Sequence, residues 1–122
     1  MQTLQKTVRV LIVLGVGLFG VTVTATGQTP DGLQRGEALY RGSCAACHGM
    51  DGNGNGPRAT GLTPAPTNFR DVTAMAARTD SDFERAILAG KPGTAMKGYG
   101  TIFNGPDVAA IVKYLRSLAT MP

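Results

Sequence analysis

The most regular alternation of apolar and polar positions lies near the C-terminus. Val108, Ile111, Val112, Leu115 and Leu118 fall at i, i+3, i+4, i+7 and i+10, the apolar stripe of an amphipathic helix. Asn104 precedes it as an N-cap, Pro106 lies in the first turn, and Asp107 at N3 sets a negative charge near the positive helix end. Lys113 and Arg116 sit on the outer face or in the last turn, where positive charge suits the dipole. The spacing of Leu33, Gly36, Leu39 and Tyr40 predicts a first helix over 31–46, with Pro30 and Asp31 near its start. Ser81-x-x-Glu84 reads as a capping box opening a helix that runs through about Ala89, with Phe83 and Ile87 on one face and Gly90 as its stop. A short helical segment near 72–77 follows Phe69. Strand-like alternation is scarce, so the expected class is all-α.

Irregular segments separate these helices. Residues 49–61 are dense in Gly and Asn, and Asp51-x-Asn53-x-Asn55-Gly56 matches the first half of a calcium-binding loop. The match then fails, because Leu62 stands where a bidentate Glu is needed and Pro57 follows directly. A turn is the better reading. Neither Gly-rich phosphate-binding pattern is present. Thr63-Pro64-Ala65-Pro66 is an extended connector, since each Pro biases the residue before it away from helix. Residues 91–98 carry too much Pro and Gly for regular structure.

The N-terminus changes the picture of where the protein works. Lys6 and Arg9 precede the apolar run 10–23, and small residues offer cleavage before Thr26 or before Gln28. That run would make roughly 21 Å of helix, short of the ~30 Å hydrocarbon layer, so a cleaved signal over 1–25 is favoured. No charge lies between Arg9 and Asp31, which keeps an uncleaved membrane anchor as the alternative. Export to the periplasm, free or anchored in the inner membrane, is expected either way. Residues 26–122 then form one small domain. It holds ten basic and eight acidic residues, a net charge of +2, so the whole-chain value of +4 overstates its basicity. No cluster of Lys and Arg points to nucleic acid. There is no Trp, and Gly supplies 17 of 122 residues, so the side chains alone offer a thin core.

Cys44-Ala45-Ala46-Cys47-His48 carries the chemistry. Two thiols three residues apart on one helical turn suit thioether bonds to the two vinyl groups of haem, and the adjacent imidazole then faces the iron. Zinc would want four ligands, and these are the only Cys and His in the chain. A thioredoxin-like pair would need a βαβ setting, and a disulfide across so short a loop would stabilise little. The opposite face of the iron then decides function. A second His is absent, so a Met thioether is the available ligand. Met50 is too close to His48, Met121 is terminal, and Met1 leaves with a signal. Met96, in the Pro/Gly loop, is favoured over Met75, which sits in a short Ala-rich helical segment and suits a core-filling role.

With these motifs the chain resembles a single-haem class I cytochrome c over its whole mature domain. The resemblance implies three to four helices around one covalently bound haem c, with the first and last helices crossing. Gly36, Tyr40, Ile111 and Tyr114 match the positions that pack at that crossing. It also implies that the Pro57 carbonyl accepts the Nδ1–H of His48, and it supports Met96 through Pro-Gly-Thr-Ala-Met. Two departures stand out: Lys97 follows Met96 where many relatives have Pro, and no Trp is available to contact a propionate. Arg58, Asn68 and Tyr99 are the candidate substitutes.

The function implied is electron transfer between redox partner proteins, with His48 and Met96 bound to iron in both oxidation states and no substrate turnover, so no enzyme activity. Two alternatives remain: the electron-entry subunit of a larger oxidoreductase, and a sensor or peroxidase with an open sixth site. Lys91, Lys97 and Arg58 are candidates to ring the exposed haem edge, scattered solvated charge being the other account.

Overall fold

The computed structural model describes residues 31–122. The expected signal or anchor over 1–25 lies outside them. Five helices follow in order: α1 Gly32–Ser43, α2 Ala45–His48, α3 Val72–Ala76, α4 Asp80–Ala89 and α5 Gly105–Leu118. The described residues contain no strand, only an isolated antiparallel bridge between Gly90 and Lys97. None of their helices is long and apolar enough to cross a membrane.

The count exceeds the expected three to four because the first helix divides. Its ladder runs on to Cys44, whose N–H donates to Tyr40 O at 2.8 Å. Cys44 itself adopts φ −112°, ψ −34°, and α2 starts again at Ala45. The second correction concerns α4. Its capping box is Thr79 with Asp82, not Ser81 with Glu84: Thr79 Oγ1 accepts from Asp82 N at 3.2 Å and Asp82 Oδ2 accepts from Thr79 N at 2.9 Å. An Asp at N3 reaches back as a Glu would. The helix ends at Gly90, which takes φ +72°. For α5 the cap is as expected, with Asn104 and Asp107 bonded reciprocally.

The core is built where α1 lies against α5, the most extensive contact between elements. Tyr40 and Ile111 are fully buried there, and the Tyr40 and Tyr114 rings sit 5.2 Å apart. Burying Ile111 alone is worth about 1.5–3 kcal/mol. Tyr40 also donates its hydroxyl to Gly49 O at 2.7 Å, which ties the residue after α2 to the core. Arg35 bonds Asp107 through Nε at 2.8 Å, and Lys113 pairs with Asp31 at 3.3 Å, so the N-terminal end of α1 is tied to α5 by two ion pairs. On its other flank α5 meets α4. Arg116 donates to Asp80, Met75 O and Arg78 O, while its guanidinium covers the Phe83 ring at 4.8 Å.

Candidate functional site

A cleft of about 300 Å³ opens beside α2. Its volume lies at the lower end of the ~300–1,000 Å³ common for small-molecule sites. Cys44, Cys47 and His48 line it from the α1–α2 segment, and Met96 lines it from the 91–98 loop. Leu62, Pro64, Ala65 and Pro66 add apolar lining. Met75 is not at the cleft. It is buried in the core at 2% exposure, filling space as its Ala-rich setting suggests.

Local structure positions each donor. The break at Cys44 lets α2 turn so that both thiols and His48 reach the same cleft. The cysteines are free and half-buried. Burial, and then the neighbouring Cys47, push the Cys44 thiol up to about 11, so it stays protonated at neutral pH. Met96 sits on a loop held at its neck, where Lys91 N donates to Met96 O at 3.0 Å. Gly90 and Gly93, both at positive φ, turn the chain there.

His48 corrects the expectation for Pro57. Its Nδ1 lies 3.0 Å from Thr67 O, so the orienting carbonyl belongs to Thr67, and Pro57 is exposed and does not line the cleft. The reason is that residues 65–68 belong to neither helix nor sheet, which leaves the Thr67 carbonyl free to accept. A carbonyl can only accept, so Nδ1 carries the proton and Nε2 keeps its lone pair. Burial holds the His48 pKa below its usual value; the Thr67 contact opposes this and Lys91 adds to it. The imidazole is therefore neutral. Phe69, two residues beyond Thr67, stacks on the ring at 4.6 Å between centroids. Sequence reasoning missed Thr67 and the stack; the only available signal was an extended Pro-flanked run ending in an aromatic.

Of the candidate propionate contacts, Arg58 and Tyr99 line the cleft. Asn68 does not, because its Oδ1 accepts from Arg70 N at 2.9 Å in a local turn. Lys91 and Lys97 also reach the rim. The Asn-rich loop is a turn of the same local kind, with Asn53 Oδ1 accepting from Asn55 N.

A half-enclosed cleft with two thiols, a neutral imidazole and a thioether on its walls, within an all-helical domain, defines a c-type haem protein. The chain belongs to the cytochrome c family, whose model matches residues 33–119. Its cofactor is accordingly covalently bound haem c and its function electron transfer, and the donor set at the cleft fits that group. The chain is similar to cytochrome c55X of Paracoccus denitrificans, with 33% identity over 80% of this chain and 86% of the relative. It is also similar to part of the dihydro-heme d1 dehydrogenase of Pseudomonas aeruginosa, with 34% identity over 86% of this chain but 18% of that protein. Among solved structures, a chain of the Kuenenia stuttgartiensis reducing HAO-like protein complex superposes with a TM-score of 0.61 at 29% identity. That match covers 70% of this chain and 41% of the other.

Proposed function

We propose that this chain is an exported single-haem electron carrier, with Cys44 and Cys47 as the thioether attachment points and His48 Nε2 and the Met96 sulfur as axial ligands. The observation that carries this proposal is the convergence of those four side chains on one cleft. Bound there, haem c supplies a one-electron Fe(III)/Fe(II) couple. The protein's part is to hold its ligands still. Thr67 O fixes the Nδ1 proton and so aims Nε2. Met96 offers a neutral, soft sulfur, which favours the reduced metal.

Export is supported by the basic, apolar and small-residue order of residues 6–27. The partner is a redox protein with an acidic docking face. Of the ten cations of the described residues, five pair with carboxylates, Arg70 and Arg78 bond backbone oxygens, and the remaining three, Arg58, Lys91 and Lys97, all line the cleft. A second assignment, the electron-entry subunit of a larger oxidoreductase, is favoured by one finding. The Pseudomonas dehydrogenase contains a stretch as similar as a whole small cytochrome. Co-purification that survives high salt distinguishes it from transient docking.

The test is visible absorption of the purified holoprotein, oxidised and reduced, beside Met96→Ala. The thioether-to-Fe(III) charge-transfer band is expected in the wild type and absent in the variant. A wild type without the band, whose reduced form takes up carbon monoxide at neutral pH, overturns the Met96 assignment and points to an open sixth site.

A further inference from the structure

The two walls of the cleft are held together by very little. On the Met96 side, the backbone bonds of residues 91–98 return to the loop itself, as in Lys91 N to Met96 O at 3.0 Å and Thr94 N to Lys91 O at 3.1 Å. The residues just beyond it return to α4, with Tyr99 N on Ile87 O at 2.8 Å and Gly100 N on Leu88 O at 3.0 Å. Among the described residues, one hydrogen bond crosses from this side to the wall of α1 and α2. The Tyr99 hydroxyl donates to Ser43 O at 3.0 Å. Ser43 is the last residue of α1 and adjoins Cys44; Tyr99 is three residues past Met96.

We infer that Tyr99 is a positioning residue whose hydroxyl latches the Met96 loop against the cysteine-bearing wall and thereby sets the fraction of time the thioether is held at the iron. The inference rests on the Met96 ligation proposed above. The ring is braced for this task, lying parallel to Phe103 at 5.4 Å with 12° between planes, so the hydroxyl is presented at a fixed height. The loop turns at Gly90 and Gly93, both at positive φ, and among the described residues no other hydrogen bond crosses the cleft, so loss of the hydroxyl leaves only apolar packing to hold the loop there. Opening would break the Tyr99–Ser43 hydrogen bond and release the Met96 sulfur from the metal, with no electron or group transferred.

The test is imidazole binding to the oxidised holoprotein, because an added ligand gains access only when Met96 is away, and its apparent affinity follows that open fraction. Tyr99→Phe keeps the stack and removes only the hydroxyl. It is expected to bind imidazole about 2- to 13-fold more tightly than wild type, the ratio equivalent to the ~0.5–1.5 kcal/mol of one net hydrogen bond. Phe103→Leu keeps the hydroxyl and loosens packing; it is expected to lower the melting temperature more than Tyr99→Phe does, with a smaller change in imidazole affinity. The latch is overturned if Tyr99→Phe binds as wild type does, or if affinity simply tracks melting temperature across the two variants. Met96→Ala supplies the fully open reference. A wild type that already binds imidazole as tightly as Met96→Ala overturns the ligand assignment itself and the latch with it.

Discussion

Gly36 faces Ala110 and Tyr114 across the α1–α5 contact, and a Cβ added there would be driven into the Ala110 carbonyl oxygen. The neighbour is backbone and cannot rotate away. Gly36→Ala is therefore expected to destabilise the holoprotein by about 1–3 kcal/mol, read as a lowered denaturant midpoint with little change in slope. Gly42→Ala is the control on the same helix, since a Cβ there meets nothing within 4 Å. It should be neutral or slightly stabilising. Residues differ in how far their surroundings can be read from sequence. Gly36 and Tyr40 were legible because helical spacing puts them on one face. Thr67 was not, because it acts through a backbone carbonyl, and a carbonyl leaves no mark in the side-chain pattern.

Among the elements, α5 was the most legible and α4 the least well bounded. The stripe from Val108 to Leu118 is long enough for periodicity to outweigh local ambiguity, and each of its five residues is buried. For α4, the sequence reading placed the cap at Ser81 with Glu84, whereas the structure caps at Thr79 with Asp82, which lengthens the helix at its N-terminal end. The division of the first helix at Cys44 had only a weak signal, the Gly42-Ser43 pair just before it, which lowers helix propensity without fixing where the ladder breaks. The α1–α5 pairing carries a pH dependence. Hydrogen bonding from Arg35 holds the Asp107 carboxyl below the usual carboxylate range, with help from Asn104 N–H and against the effect of burial. A depressed folded-state pKa gives stability that is present above the unfolded value, about 3.9, and lost as pH falls through the folded one. Arg35→Gln is accordingly expected to melt below wild type at neutral pH, with the gap closing as the medium is acidified below about pH 4. A gap that stays constant down to that range would exclude the pair as its source.

For the whole molecule, charge is unevenly distributed although the net excess is small. The cations that face Asp or Glu lie along α1, α4 and α5, whereas the cleft rim carries Arg58, Lys91 and Lys97 with no carboxylate beside them. Such a rim raises the local concentration of anions and repels cations. Hexacyanoferrate(III) and a cationic cobalt(III) complex, used as paired oxidants of the reduced protein, report on that field. Lys91→Glu/Lys97→Glu is expected to slow the anion and speed the cation, each by roughly tenfold at low salt. Lys113→Glu, altered on α5 where Asp31 is the partner, should leave the ratio of the two rates much nearer to wild type. Equal responses of the two oxidants in the rim variant would place electron exit elsewhere. The total charge in the sequence is no guide to this arrangement, because the rim is assembled from residues far apart in the chain.

The α1–α5 contact also has a bearing on timing. A chain that emerges N-end first presents Cys44, Cys47 and His48 some 70 residues before Leu118. At ~5–20 residues per second, that is an interval of roughly 4–14 s. Throughout it, Gly36 and Tyr40 have no partner, because the surface they pack against is the last helix to appear. The thiols do not share that dependence: they line a cleft to which α5 contributes no residue, and they remain half-buried and reachable in the completed fold. The order of elements along the chain thus separates the attachment motif, complete early and served by its own cleft, from the α1–α5 packing that only the last helix can finish.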